Sequence, residues 1–233
     1  MNLHIFGHSI AMRAVQQSDP PKFPTFADQL MQKYSVPVEC HHAVSQGSEE
    51  RILYYLKKAK DIDIALIFHG NHRSFFCPTW NNDLRYINSK DFWDGEACGY
   101  VQYMPSIIHD SFTMKHEPII LSKQHYRPLY NCFTEHFYTH DLNKNRFYGA
   151  LMQIDQYLKH KNIPTIHCTL KNTIPTWFEF SQGIVDTELA QLQHSGEYAC
   201  SHHISANAMT QEGNAYFVET LSGYIDSLVE QRA

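Results

Sequence analysis

The chain has 233 residues, 43% of them hydrophobic and 18% charged, with a net charge of −5 when histidines are neutral. That balance builds a buried core and excludes a disordered chain, and the length suits one α/β domain, alone or with a large insertion. The 19 lysines and arginines are scattered rather than striped, which excludes a nucleic-acid surface, and no apolar run approaches the ~20 residues of a membrane span.

Leu3-His4-Ile5-Phe6 reads as a short buried strand, close enough to the first residue to leave no room for a signal peptide. It ends at Gly7-His8-Ser9. A helix is expected between Pro24 and Tyr34, where Phe26, Leu30, Met31 and Tyr34 form an apolar stripe. Val36–Val38 follows as a second strand. Ser48–Lys58 reads as a helix capped by Ser48, with Glu49 and Glu50 at its positive end. Ile62–Phe68 is nearly continuous in apolar residues, as a strand covered on both faces should be. Residues 73–140 are irregular and rich in aromatics, among them Phe75, Phe76, Trp80 and Trp93. They read as an insertion with short helices: a lid, a platform for a carbohydrate or acyl group, or a second small core. Phe147–Lys161 is a helix whose stripe of Phe147, Leu151, Ile154 and Leu158 faces a core. Ile163–Cys168 is a strand, and Gln211–Val229 the last helix.

Strands alternating with helices predict an α/β fold, a three-layer α/β/α sandwich with a mostly parallel sheet and right-handed crossovers, forming one domain over 1–233 with its insertion at about 73–140. The active site of such a sheet lies beyond the carboxyl ends of its strands. Three polar motifs fall at those ends. Gly7-His8-Ser9 puts a serine on a tight turn, as a nucleophile or simply as a helix cap. Gln46-Gly47-Ser48 puts a glycine N–H at the mouth of a helix. His69-Gly70-Asn71-His72 offers an asparagine amide that donates to an oxyanion or merely forms a turn.

Taken in order, these motifs resemble the SGNH/GDSL hydrolase family, whose fold is flavodoxin-like. The resemblance implies Ser9 as nucleophile and Gly47 and Asn71 as oxyanion donors. It departs at His8, where the family has aspartate, and at His69 and His72, which replace a glycine and an aspartate. The family also carries Asp-x-x-His before its last helix, with a glycine five residues after the histidine. Counting back from Gly213 puts Ala208 at the histidine position and Ser205 at the aspartate position. The implied function is a serine esterase or acyltransferase acting on an O-acyl, for instance acetyl, ester of a small molecule or glycan, without its general base. Three explanations stay open: a replacement made to trap a ligand, a naturally inactive member that only binds, or a displaced base at His202 or His203.

No cofactor or metal is expected. The sixteen histidines include no HExxH, no HxH and no Cys/His cluster at zinc spacing, and the adjacent pairs His41-His42 and His202-His203 point apart on a strand. Cys40, Cys77, Cys98, Cys132, Cys168 and Cys200 form no CxxC, which fits reduced thiols in a cytoplasmic protein.

Overall fold

The computed structural model describes residues 1–7, 24–42, 49–70, 75–78, 100–103, 140–169, 173–189 and 210–232. The elements run β1 (Leu3–Gly7), α1 (Phe26–Tyr34), β2 (Val38–His42), α2 (Glu49–Lys58), β3 (Ile64–Phe68), β4 (Phe75–Pro78), β5 (Tyr100–Tyr103), α3 (His140–Lys161), β6 (Thr165–Cys168), β7 (Ile184–Asp186) and α4 (Gln211–Glu230). Residues 1–70 and 151–233 form one compact unit, and residues 71–150 another.

The first unit is an α/β fold around a five-stranded sheet of order β2-β1-β3-β6-β7, every pairing parallel. Its apolar runs explain the order. β1, β3 and β6 are buried at every residue, and they occupy the three inner positions. From β1 the chain first moves out to β2, then returns past β1 to β3 and continues outward. The direction of winding therefore reverses between β1 and β3, the point at which parallel sheets open a crevice beyond their strand ends.

Alternation along the strands divides the core in two. Leu3, Ile5, Leu66, Phe68, Ile166 and Cys168 pack with Phe26 and Leu30 of α1 and Phe217, Leu221 and Ile225 of α4. Phe6, Ala65 and Ile67 pack with Ile52, Leu53 and Leu56 of α2 and Ile154 and Leu158 of α3. α1 starts at a capping box between Thr25 and Asp28 and stops at Ser35, whose φ of 52° is left-handed. Thr210 caps α4 by accepting from the Gly213 N–H.

Several boundaries differ from expectation. β2 is Val38–His42, not Val36–Val38, because an edge strand of half-exposed residues need not be apolar, and Glu39, His41 and His42 belong to it. α3 begins at His140, through seven residues with little apolar pattern, and its stripe of Phe147, Leu151, Ile154 and Leu158 is buried as expected. β7 was not anticipated, since three residues carry too little periodicity to read. In the second unit, β4 and β5 form an antiparallel pair pairing Phe75 with Tyr103, where short helices were expected.

Candidate functional site

Four described positions at the carboxyl end of the parallel sheet are joined by direct contacts. Gly7 ends β1 beside the last residue of β3; a Cβ on Gly7 would lie 2.8 Å from both the Cβ and the carbonyl oxygen of Phe68, and its φ is +151°. Only glycine suits that close approach. Phe68 meets Phe26 of α1 with ring centres 6.0 Å apart. The Phe26 N–H donates to Asn214 Oδ1 at 2.7 Å, and Asn214 in turn donates to the Thr210 carbonyl. The start of α4 is thereby tied to the end of β3.

The fourth position is Glu49, the first residue of α2 and wholly buried. Its Oε1 accepts the Gly70 N–H at 2.7 Å and its Oε2 lies 3.1 Å from His69 Nδ1. His69 Nε2 then lies 2.9 Å from His167 Nδ1. A carboxylate only accepts, so it fixes Nδ1 of His69 as a donor. The end of this chain, His167 Nε2, is a buried nitrogen with no hydrogen-bond partner among the described residues. Phe180 stacks on the His167 ring with centres 3.8 Å apart and also borders His69.

Burial holds His167 well below the ordinary imidazole range, and the neighbouring His69 lowers it further, against a smaller opposing influence of the Gln182 backbone that does not meet hydrogen-bond geometry. The ring is therefore neutral at physiological pH. Burial likewise pushes the Cys40 thiol up to about 12 and the Cys168 thiol well above its usual range, so neither offers a thiolate nucleophile.

No protein-family model and no curated protein sequence matches the chain. The SGNH/GDSL resemblance thus rests on the motifs. Ser9, Gly47, Asn71, Ser205 and Ala208 lie outside the described residues, as do His202 and His203. Each of the principal positions nevertheless neighbours a described anchor in the chain. Ser9 follows Gly7 by two residues, Gly47 precedes Glu49 by two, Asn71 follows Gly70 directly, and Ala208 precedes Thr210 by two.

Sequence reasoning missed Glu49 and His167. Glu49 reads simply as a favourable helix-start charge, and His69 as a departure from a family motif. One signal was present: a histidine inside the otherwise buried strand Thr165-Ile166-His167-Cys168. A buried polar group there needs a partner, which sequence alone does not name. No helix among the described residues is long and apolar enough to cross a membrane.

Proposed function

We propose that the chain is a serine esterase or acyltransferase apparatus of the SGNH type for an O-acyl ester of a small molecule or glycan, with its general-base position held by Ala208. The observation that carries this reading is the linkage of the four anchors. The ends of β1 and β3, the start of α2 and the start of α4 are independent in sequence, yet they join in one network at the winding reversal of the sheet. Ser9, Gly47, Asn71 and Ala208 each lie within two residues of that network, and Ser205 lies five from Thr210. Ser9 would attack the ester carbonyl, the Gly47 N–H and the Asn71 amide would hold the oxyanion, and water or an alcohol would release the acyl group. Glu49 supports this arrangement as a positioning residue, because it ties α2 to the Gly70 N–H. With that N–H occupied, the oxyanion role in the motif falls to Asn71. The same reading keeps the protein in the cytoplasm, where the free thiols Cys40 and Cys168 stay reduced.

Serine is a poor nucleophile without a base, and losing one triad member costs about 10⁴ or more in rate. Hydrolysis of p-nitrophenyl acetate is therefore expected to be near background in the chain as it stands and to rise by about 10³-fold or more in Ala208→His. Ser9→Ala in that background abolishes the gain. A chain already fully active, and made inactive by His203→Ala, would place the base elsewhere. Ester binding without revival in Ala208→His would make the domain a ligand-binding module.

A further inference from the structure

A second histidine cluster lies on the same sheet face, toward the edge strand β2. The parallel register sets His4 against Glu39 and Phe6 against His41, so alternation turns all four to the face covered by α2. His41 stacks on Phe6 with ring centres 4.6 Å apart, and Tyr55 of α2 borders it. His4 Nδ1 lies 3.0 Å from His41 Nε2. Glu39 Oε2 lies 3.8 Å from the first and 3.7 Å from the second. A point in the plane of these three atoms and equidistant from them is about 2 Å from each, which is the length of a Zn–N or Zn–O bond.

We propose that His4, Glu39 and His41 form a binding site for a divalent first-row transition ion of the zinc type. The donor set favours that class: two imidazoles and one carboxylate suit zinc and its neighbours, whereas calcium and magnesium take oxygen sets. In the metal-free arrangement the two facing ring nitrogens share one proton in a hydrogen bond. An ion takes the place of that proton, which moves to the other nitrogen of its own ring, so no net proton is released. Rotation of the two rings then brings both lone pairs onto the ion. His4 is buried, but Glu39 is 64% exposed, which supplies an entry path and leaves a fourth coordination position to water. The ion joins edge strand β2 to β1 at a place where Tyr55 of α2 borders the His41 ring. Its ligands come from two strands, Glu39-Cys40-His41 and His4, so no single linear motif records them. The site stands apart from the ester reading, and neither depends on the other.

The test uses the full chain, stripped with EDTA, dialysed and titrated with zinc chloride against a competing chromophoric chelator that keeps surface histidines empty. The parent takes up one equivalent that His41→Ala and Glu39→Gln each weaken by at least about ten-fold. His160→Ala, an exposed histidine on α3, leaves that uptake unchanged. Cobalt(II) in place of zinc gives the visible absorption of a four-coordinate site in the parent only. Circular dichroism checks that each variant is folded; should His41→Ala fail to fold, the exposed Glu39→Gln decides. No zinc uptake by the parent, or uptake equal in parent and Glu39→Gln, overturns the site and leaves His4 and His41 as a plain hydrogen-bonded pair.

Discussion

The two faces of the parallel sheet come from the same strands, yet they are built differently. Toward α1 and α4, the inward side chains of β1, β3 and β6 are Leu3, Ile5, Ile64, Leu66, Phe68, Ile166 and Cys168. Toward α2 and α3 the same strands turn His4, Thr165 and His167 inward beside Phe6, Ala65 and Ile67, all of them buried. The first face is held by apolar burial, which tolerates any arrangement that fills the volume. The second also depends on specific partners, because each buried imidazole must find a hydrogen bond. Chemistry gathers on the face that needs partners: the Glu49–His69–His167 chain at one end and the His4–Glu39–His41 cluster near the edge.

The largest effect expected tests the apolar face. Leu66→Ala, at a fully buried central position, should lower stability by about 3 kcal/mol or more in urea unfolding, and no change of pH should rescue it. A loss under 1 kcal/mol would mean that this face is not the main source of stability.

On the polar face, Glu49→Ala strands two buried donors, the Gly70 N–H and His69 Nδ1–H. Each orphan costs at least about 1 kcal/mol, so a loss of about 2 kcal/mol or more is expected, with Glu49→Gln recovering part through its remaining acceptor oxygen. Equal losses in the alanine and glutamine variants would show that the side chain acts by filling space.

The third test uses pH. The folded protein holds His167 well below 6.5, so between that depressed pKa and 6.5 the unfolded chain binds the extra proton. Stability therefore rises with pH in this window and falls as the solution is acidified below about 6.5, with a slope approaching about 1.4 kcal/mol per pH unit for one such group. His4, also lowered chiefly by burial, adds a contribution of the same sign. His167→Gln should flatten the slope without abolishing it. An unchanged slope would remove His167 from the account.

The smallest effect lies at the rim of the apolar face. The single hydroxyl proton of Tyr34 is shared between the exposed Asp226 and the Ser222 carbonyl. Tyr34→Phe should cost less than about 1 kcal/mol in thermal or urea unfolding, since water replaces most of what is lost. A cost near that of Leu66→Ala would erase the distinction between the faces.

Much of the fold was legible because local physics dictates it. β1, β3 and β6 appear as short apolar runs, α2 as a periodic stripe with end charges, α1 as an apolar stripe and α4 as the last helix. β2 was legible only in position, because the apolar pair flanking Pro37 masks a strand of alternating polar residues one step later. The Gly7 turn was legible as a motif, whereas its cause, the Cβ of Phe68, belongs to another strand. Glu49 was seen as a helix-start charge, and its buried partners were invisible because His69 and His167 come from separate strands.

The sequence by itself determined the α/β class, the apolar strands and the polar loops that follow them. Those follow from side-chain periods and from residues near one another in the chain. Tertiary structure alone decided which histidine meets which. Alternation fixes the face of His4, His41 and His167 relative to their own strands. Only the order β2-β1-β3-β6-β7 and its parallel register set His4 beside His41 and His167 beside His69. The physical reason is that pairing joins residues 37 and 98 positions apart, a choice made by the burial of the whole sheet and not by any local preference.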